Sequence, residues 1–205
     1  RPFDDGWLPE LMSRVAADST GIAVPVLCDR SGIVCEAGLS LTMGRPPSPR
    51  FFGRDAEDPG FGDQLAVAHQ VSAISAQALL TRRANFLALG GFDPVLFPRH
   101  LGAADYALKL QALGRRIVVA PDARLYRDGD RSPLSALSQA SLLREYAALS
   151  ARWAAVLADD PYSNPNLRRS EGAASMLAWP PSNPSPRRCH VSSPRMMLPG
   201  WQLGP

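Results

Sequence analysis

The sequence predicts an α/β fold in which helices flank a mixed sheet. Apolar residues make up 45% of the 205 residues, which is enough to bury a core. Two short runs rich in β-branched residues, 22–27 and 116–120, predict strands. Around them lie segments whose apolar residues recur at helical spacing, and 138–157 is the clearest of these. Strands and helices that alternate along one chain favour a layered α/β architecture.

The composition excludes several classes of protein. The net charge is +3 and the basic residues are scattered arginines, with Lys109 as the only lysine, so no nucleic-acid-binding surface is indicated. Three cysteines without CxxC spacing favour neither a disulfide framework nor a zinc site, and they fit a reducing compartment, the cytoplasm. Cys28 and Cys35 lie among apolar residues and are predicted to be small core residues. No apolar run approaches the roughly 20 residues that span a bilayer.

The first elements are a helix and a strand. The helix is predicted over 7–15, with Asp4 or Asp5 as its N-terminal cap. The strand follows at 22–27, where Pro25 predicts a sheet edge or a bulge.

A turn, an extended segment and a long loop come next. The turn is predicted at 29–32 and the extended segment at 33–38. Clustered Pro and Gly residues predict an irregular loop over 42–63, and a loop this long inside a domain is usually functional. His69 follows it and is predicted to be a surface or hydrogen-bonded residue rather than a metal ligand.

The stretch 71–126 is the part of the chain from which a function can be argued. Residues 70–80 form a run of small and apolar residues that predicts a strand buried on both faces. Small side chains such as Ser75 leave room for a close approach, which makes Ser75 a candidate substrate-binding residue.

Two helices and a strand complete this stretch. Thr81 is predicted to cap a helix over 82–89, which a Gly-Gly turn ends. A second helix is predicted over 103–113, followed by the strand at 116–120 and a Pro-Asp turn at 121–122.

The acidic residues are the remaining candidates for chemistry, because no hydrolase triad, zinc-protease or phosphate-loop motif is present. Asp93 follows the Gly-Gly turn, and Asp105 lies in the first turn of a predicted helix. Either carboxylate could point into a cleft at the end of a sheet. The alternatives remain open: Asp105 and Lys109 have the spacing of an exposed helical ion pair, and Asp93 before Pro94 has the pattern of a turn.

Four sequence blocks stand out by their order and spacing. In chain order they are 5–11 (DGWLPEL), 32–38 (GIVCEAG), 71–126, and 160–167 (DPYSNPNL) with 177–181 (LAWPP). The third block is the most specific, with GGFD at Gly90, Gly91, Phe92 and Asp93 and the run GRRIVVAPDA at 114–123. Together the blocks resemble the family 2 glycosyltransferases of GT-A type, especially bacterial enzymes of surface-polysaccharide assembly such as rhamnosyltransferases.

The resemblance implies a partial GT-A fold, the nucleotide-diphospho-sugar transferase fold, and a reaction. Residues 1–158 would be its C-terminal, acceptor-side portion, residues 159–181 a clasp, and residues 182–205 a poorly ordered tail. A nucleotide-diphosphate sugar would donate its sugar to a saccharide or lipid-linked acceptor. A divalent metal, Mn²⁺ or Mg²⁺, would bind an Asp-x-Asp motif that is expected before Arg1 and is not in this chain. Nothing in the sequence identifies metal ligands within the chain itself.

The resemblance also assigns site residues. It implies substrate binding by the GGFD segment and proton abstraction by an acid that opens the following helix. The position matching that base is Ala103, so Asp105 is the catalytic candidate that remains, and Arg127 stands where a diphosphate contact is expected. An alternative hypothesis is a degenerate, non-catalytic glycosyltransferase-like binding domain.

The expected partners follow from the same resemblance. They are a nucleotide sugar and a saccharide or lipid-linked acceptor, with peripheral association at the inner membrane face and a homo-oligomer as further options. A sheet without the preceding βαβ units would have an unpaired edge, which predicts an unstable or associating fragment.

Overall fold

The computed structural model describes residues 2–128 and 136–163, and it confirms an α/β fold in which helices flank a mixed sheet. The helices are α1 (Trp7–Ala16), α2 (Arg83–Ala88), α3 (Gly102–Ala112) and α4 (Ala136–Ala158). The strands are β1 (Thr20–Cys28), β2 (Val34–Glu36), β3 (Leu39–Ser40), β4 (Ser48–Pro49), β5 (His69–Gln70), β6 (Leu80–Thr81) and β7 (Arg116–Tyr126).

Two long parallel strands form the centre of the sheet. β1 and β7 pair from Thr20 opposite Arg116 to Cys28 opposite Tyr126. Every residue of β1 is buried, because the strand has neighbours on both sides and packed layers on both faces. The flanking strands are short: β2 and β6 pair antiparallel with β1, and β5 pairs antiparallel with β7. β3 and β4 form a separate two-stranded sheet.

β7 is longer than the strand predicted at 116–120, and the turn predicted at 121–122 is wrong. Pro25 of β1 pairs with Ala120, and the next residue of β1 pairs with Arg124. Three residues of β7 therefore bulge out of the pairing while the strand continues to its end. The bulge predicted at Pro25 is confirmed, and it lies in a central strand rather than at an edge.

Helices cover both faces of β1. On one face Leu11 and Val15 of α1 pack against Ala23. On the other face, Tyr106 and Leu110 of α3 join the core cluster that contains Ile22. The predictions of α1 and α3 are confirmed to within one residue at each end, because their apolar residues recur at the helical period.

α4 packs on the side of α3 that faces away from the sheet. Leu149 and Trp153 of α4 cluster with Leu108 of α3 and with Leu41. The amphipathic stripe predicted for this helix is thereby confirmed as core packing. The helix is not regular throughout, because the backbone of Trp153 has φ −124° and ψ 28°, outside the helical range.

The strand predicted over 70–80 is wrong for most of its length. Only its ends are strands, in β5 and β6. Val71 and Ser72 are buried without strand pairing, and the Gln111 side chain donates a hydrogen bond of 2.9 Å to each of their carbonyl oxygens. Residues 71–74 are buried between two core clusters, while 76 and 77 are exposed. The Val71 N–H donates to the Ile117 carbonyl oxygen of β7 at 3.0 Å, so Gln111 replaces strand pairing only at the two carbonyl groups that it binds.

The cap predicted at Thr81 is also wrong. Its hydroxyl donates to the Gly21 carbonyl oxygen at 2.8 Å and lies 3.0 Å from the Tyr106 hydroxyl. α2 begins after Arg82, without a side-chain cap. The cap predicted at Asp4 or Asp5 is wrong too, because Gly6 is the N-cap of α1 and no side chain caps the helix. Asp4 instead accepts a hydrogen bond of 2.7 Å from the Gly6 N–H.

The loops follow the sequence closely. Asp29 forms the predicted turn by accepting the N–H groups of Ser31 and Ile33, both at 2.9 Å. The predicted loop over 42–63 is largely irregular and contains β4. His69 is half-buried, and its Nδ1 lies 3.2 Å from the Val67 carbonyl oxygen, as expected for a hydrogen-bonded residue.

The start of the predicted clasp packs on the domain. Asp160 is fully buried and accepts hydrogen bonds from the Ser72 hydroxyl at 2.5 Å and the Leu41 N–H at 3.1 Å. The rest of the clasp, from 164, and the tail over 182–205 lie outside the described residues, as does Cys189. Within 2–128 and 136–163, no helix combines the length and apolarity needed to cross a membrane.

Candidate active site

The predicted binding residues Ser75 and Arg127 lie near Glu36, a residue that was not predicted, where the parallel strands β1 and β7 end. Glu36 of β2 lies directly opposite Leu27, near the carboxyl end of β1. Arg127 follows the last residue of β7, and its N–H donates to the Cys28 carbonyl oxygen at 2.7 Å. Residues paired across strands project to the same face, and Leu27 also pairs with Leu125 of β7. Side chains two residues apart in a strand point to the same face, so Arg127, two residues after Leu125, is directed to the face that carries Glu36.

Glu36 is a buried carboxyl group, with 6% of the residue exposed. The Ser75 N–H donates to its Oε1 at 3.2 Å. No Lys, Arg or His nitrogen of the described residues lies within 4 Å of it. Burial raises the pKa of Glu36, and the hydrogen bonds from Ser75 and the charge of Arg127 offset part of this effect. The site thus contains a carboxyl group that is removed from water without a close counter-ion.

Two thiols adjoin this site. Cys28 and Cys35 are both free and buried, which confirms their predicted place in the core. Burial raises the pKa of Cys28 to about 11, and it also raises the pKa of Cys35, which Arg127 lowers in part. Both thiols are therefore protonated near neutral pH and are poor nucleophiles there.

The GGFD segment forms a turn backed by aromatic rings. Gly90 and Gly91 have φ of 70° and 66°, in the left-handed region that favours glycine. A Cβ at Gly91 would lie 2.7 Å from the ring of Phe86, so this position has no room for a side chain. Phe92 packs edge-to-face on Phe86 and Tyr106, at 5.3 Å and 5.8 Å between ring centroids. These contacts fix the turn that precedes α3.

Asp93 and Asp105 are joined by Arg152 of α4. Its guanidinium donates to Asp93 Oδ2 at 3.2 Å and to Asp105 Oδ1 at 2.9 Å. Asp93 also forms the turn that the alternative hypothesis predicted, because its Oδ1 accepts the N–H groups of Val95 and Leu96. The hydrogen bond from the Leu96 N–H contributes most, and together with those from Arg152 and Val95 it holds the pKa of the Asp93 carboxyl below its usual range.

Asp105 is fully buried between α3 and α4. Lys109 Nζ lies 2.9 Å from Oδ2, and the Trp153 indole N–H donates to Oδ1 at 2.9 Å. The ion pair with Lys109 therefore exists at the predicted spacing, but the prediction that it is exposed is wrong, since 7% of the Lys109 side chain is accessible. Arg152, Lys109 and Trp153 thus bind the Asp105 carboxylate from α3 and α4, and this carboxylate connects the two helices.

The sequence gives only faint signals of the residues that it missed. Glu36 is a single acid inside an apolar extended run, and that mismatch is the one feature that indicates it. Arg152 lies on a helix that the sequence marks only by its apolar stripe. Its partners Asp105 and Asp93 lie 47 and 59 residues away in the chain. Contacts of this range depend on the tertiary fold rather than on local spacing.

The divalent metal that the resemblance implies has no fitting ligands in the part of the chain that the structure describes. No group of three His, Cys, Asp or Glu residues there is arranged to hold a metal ion. The buried carboxylates Asp105 and Asp160 accept hydrogen bonds from protein groups instead.

Comparison with known proteins shows similarity to a distant relative but assigns no family. No family model matches the chain. The chain is similar to a protein of Sinorhizobium fredii (strain NBRC 101917 / NGR234) named "Uncharacterized protein y4gI", with 26% identity over 178 residues that cover 84% of this chain. The chain spans 20% of the length of that relative.

Proposed function

We propose that this chain is the acceptor-side portion of a GT-A glycosyltransferase of family 2 that uses a nucleotide-diphosphate sugar. The observation that carries the proposal is that Ser75 hydrogen-bonds the buried Glu36 near the carboxyl ends of β1 and β7, where the charge of Arg127 also acts on this carboxyl group. Open α/β sheets bind their ligands beyond the carboxyl ends of parallel strands. The ordered sequence blocks, of which the GGFD turn is the most specific, give the class of ligand.

Each residue of this edge has a role in the proposal. Arg127 contacts the diphosphate of the donor, because a guanidinium binds phosphate oxygens through two parallel hydrogen bonds. The turn at Gly90, Gly91 and Phe92, with Asp93 behind it, shapes the floor of the acceptor site. The nucleotide and its divalent metal bind residues outside this chain, and the metal neutralises the diphosphate when bound. The acceptor is a saccharide or a lipid-linked saccharide.

The test is nucleotide release by the full-length gene product. A panel of UDP-, GDP- and dTDP-sugars is incubated with saccharide acceptors, with and without Mn²⁺, and released nucleotide is measured. We expect release with at least one donor, and an Arg127→Ala variant with a KM for that donor raised at least tenfold. Arg116→Ala is the matched control, since it makes the same change in charge at the opposite, amino end of β7. Absence of release with every donor would refute catalysis.

A second candidate function is a non-catalytic domain that binds a nucleotide sugar or an acceptor saccharide. Ala103, which matches the expected base, is 1% exposed and part of the core. Asp105 is occupied by Arg152, Lys109 and Trp153. Under this hypothesis, calorimetry would detect saccharide or nucleotide-sugar binding by a protein that releases no nucleotide.

A further inference from the structure

We propose that Glu36 is the general base of this site and accepts the proton of the attacking acceptor hydroxyl. This inference rests on the proposed glycosyl transfer, and it assigns the proton transfer to a residue in none of the positions that the resemblance implies. It follows from a comparison of the four buried carboxyl groups in the described part of the chain, which are Glu36, Asp105, Glu145 and Asp160.

Three of the four are bound by several donors from different parts of the chain. Asp105 contacts two cations and an indole. Glu145 accepts the N–H groups of three consecutive residues, 99–101, at 2.8–3.2 Å. Asp160 accepts the Ser72 hydroxyl and two backbone N–H groups. These carboxylates connect segments of the fold, and their lone pairs are in use.

Glu36 is treated differently. Among the described residues its hydrogen-bond donors come from Ser75 alone. A carboxylate has about four lone-pair sites, so Glu36 retains acceptor capacity for a ligand. A buried carboxyl group with hydrogen bonds from a single residue, at the sheet edge where α/β proteins bind ligands, is a candidate for chemistry.

The surroundings of Glu36 suit a base. The charged or titratable groups that act on it are Arg127 and Cys35. Cys35 is uncharged near neutral pH because burial raises its pKa. Burial raises the pKa of Glu36 as well, and a carboxylate with a raised pKa is a stronger proton acceptor than one in water. Ser75 orients the carboxyl group through its backbone N–H.

The step balances as a displacement at the anomeric carbon. The acceptor O–H bond breaks and its proton moves to Glu36 Oε. The acceptor oxygen forms the new bond to the anomeric carbon, and the bond from that carbon to the diphosphate oxygen breaks. The nucleoside diphosphate leaves with the electron pair, and Arg127 faces its charge. The glutamic acid then returns the proton to solvent.

The experiment compares Glu36→Gln with the wild type in the full-length protein. Glutamine keeps the shape of the side chain and removes its basicity. We expect kcat to fall about 10²–10⁴-fold with little change in the donor KM, since that is the usual contribution of a positioned base. Glu57→Gln, the same substitution at a side chain that is 82% exposed, should leave kcat within twofold. Thermal melting checks that both variants are folded.

Two readouts separate a base from a packing residue. In the wild type, log(kcat/KM) should fall at acidic pH as Glu36 becomes protonated. The pH profile of any residual activity in Glu36→Gln should lack this fall. Added formate should restore part of the turnover of Glu36→Ala, because it supplies a small base to the vacated space. If Glu36→Gln does not fold, a wild-type profile without the fall at acidic pH overturns the inference.

The outcomes distinguish this inference from the function on which it rests. Wild-type release that Glu36→Gln fully retains refutes the role of Glu36 and leaves the glycosyltransferase proposal intact. Absence of release by the wild type with every donor refutes the glycosyltransferase proposal, and the role of Glu36 as a base falls with it. Loss of turnover with retained folding, together with formate rescue, supports both.

Discussion

Replacing Asp105 by Asn tests whether this carboxylate stabilises the fold or takes part in chemistry. Asn keeps an oxygen for the Trp153 indole and the Arg152 guanidinium, but it removes the charge that faces Lys109 at 2.9 Å. The Lys109 side chain is 7% exposed, so the variant would leave a buried cation without its carboxylate. Breaking a buried ion pair from one side costs about 3–5 kcal/mol. Because Asn preserves two contacts, we expect a loss of about 3 kcal/mol in the free energy of unfolding.

Urea and thermal unfolding measure this loss. For a domain of this size 1 kcal/mol corresponds to about 2–4 °C, so the melting temperature should fall by roughly 6–12 °C. The matched variant adds Lys109→Met, which removes the buried positive charge. We expect it to recover at least about 1 kcal/mol of the loss, as contacting residues couple by this amount.

One result would contradict this reasoning. A loss below about 1 kcal/mol in Asp105→Asn would mean that the buried pair contributes little to stability. Wild-type stability combined with abolished nucleotide release would instead support the sequence-based prediction that Asp105 is catalytic. Reduced stability with turnover retained below the melting temperature would assign Asp105 to the framework of α3 and α4.

Three further predictions concern stability. Gly91→Ala should lower the free energy of unfolding by about 1–3 kcal/mol, because it combines positive φ with a clash against Phe86. Chemical denaturation should show a smaller loss for the control Gly62→Ala, where φ is also positive but no atom lies within 4 Å of the new Cβ. Glu145→Gln should cost about 2–3 kcal/mol in the same assay, as an amide NH₂ replaces one oxygen that accepts backbone N–H groups; an unchanged midpoint would contradict this. Burial, with the charge of Arg50, lowers the pKa of His69 to about 4 from 6.5, so the folded state binds fewer protons than the unfolded state between these values. Stability should therefore fall as the pH drops from 6.5 to 4, and His69→Gln should flatten that slope; an unaltered slope would exclude His69 as its source.

The elements that could be predicted from the sequence are those whose burial has a local period. α1 and α4 each have one apolar face, and α3 has apolar residues at helical spacing although residues 102–110 are all buried. In the turn at 29–32, the Asp29 side chain binds the backbone of the turn itself. The run over 70–80 was wrongly predicted to be a strand, because its apolar residues pack against segments that are distant in the sequence. Gln111 binds two of its carbonyl oxygens and two core clusters cover residues 71–74, so no alternation of buried and exposed residues marks this part as irregular.

The candidate site was predictable in part. Ser75 could be named from its small side chain and Arg127 from the order of the sequence blocks, and both lie at the edge where Glu36 is buried. Glu36 itself could not be named, because its significance depends on burial and on a hydrogen bond from 39 residues away. The spacing of Asp105 and Lys109 indicated their ion pair, but only the packing of α4 determines that the pair is buried.

The long parallel pairing of β1 with β7 has a consequence for how the chain folds during synthesis. Thr20 and its partner Arg116 are 96 residues apart in the chain, so β1 leaves the ribosome well before the strand that covers it. At 5–20 residues per second the delay is about 5–20 s. Throughout this time the apolar run of β1 has only α1 and short neighbouring segments to pack against. A high contact order of this kind slows folding and exposes the strand to misassembly, so we expect slow translation or chaperone depletion to reduce the yield of folded protein.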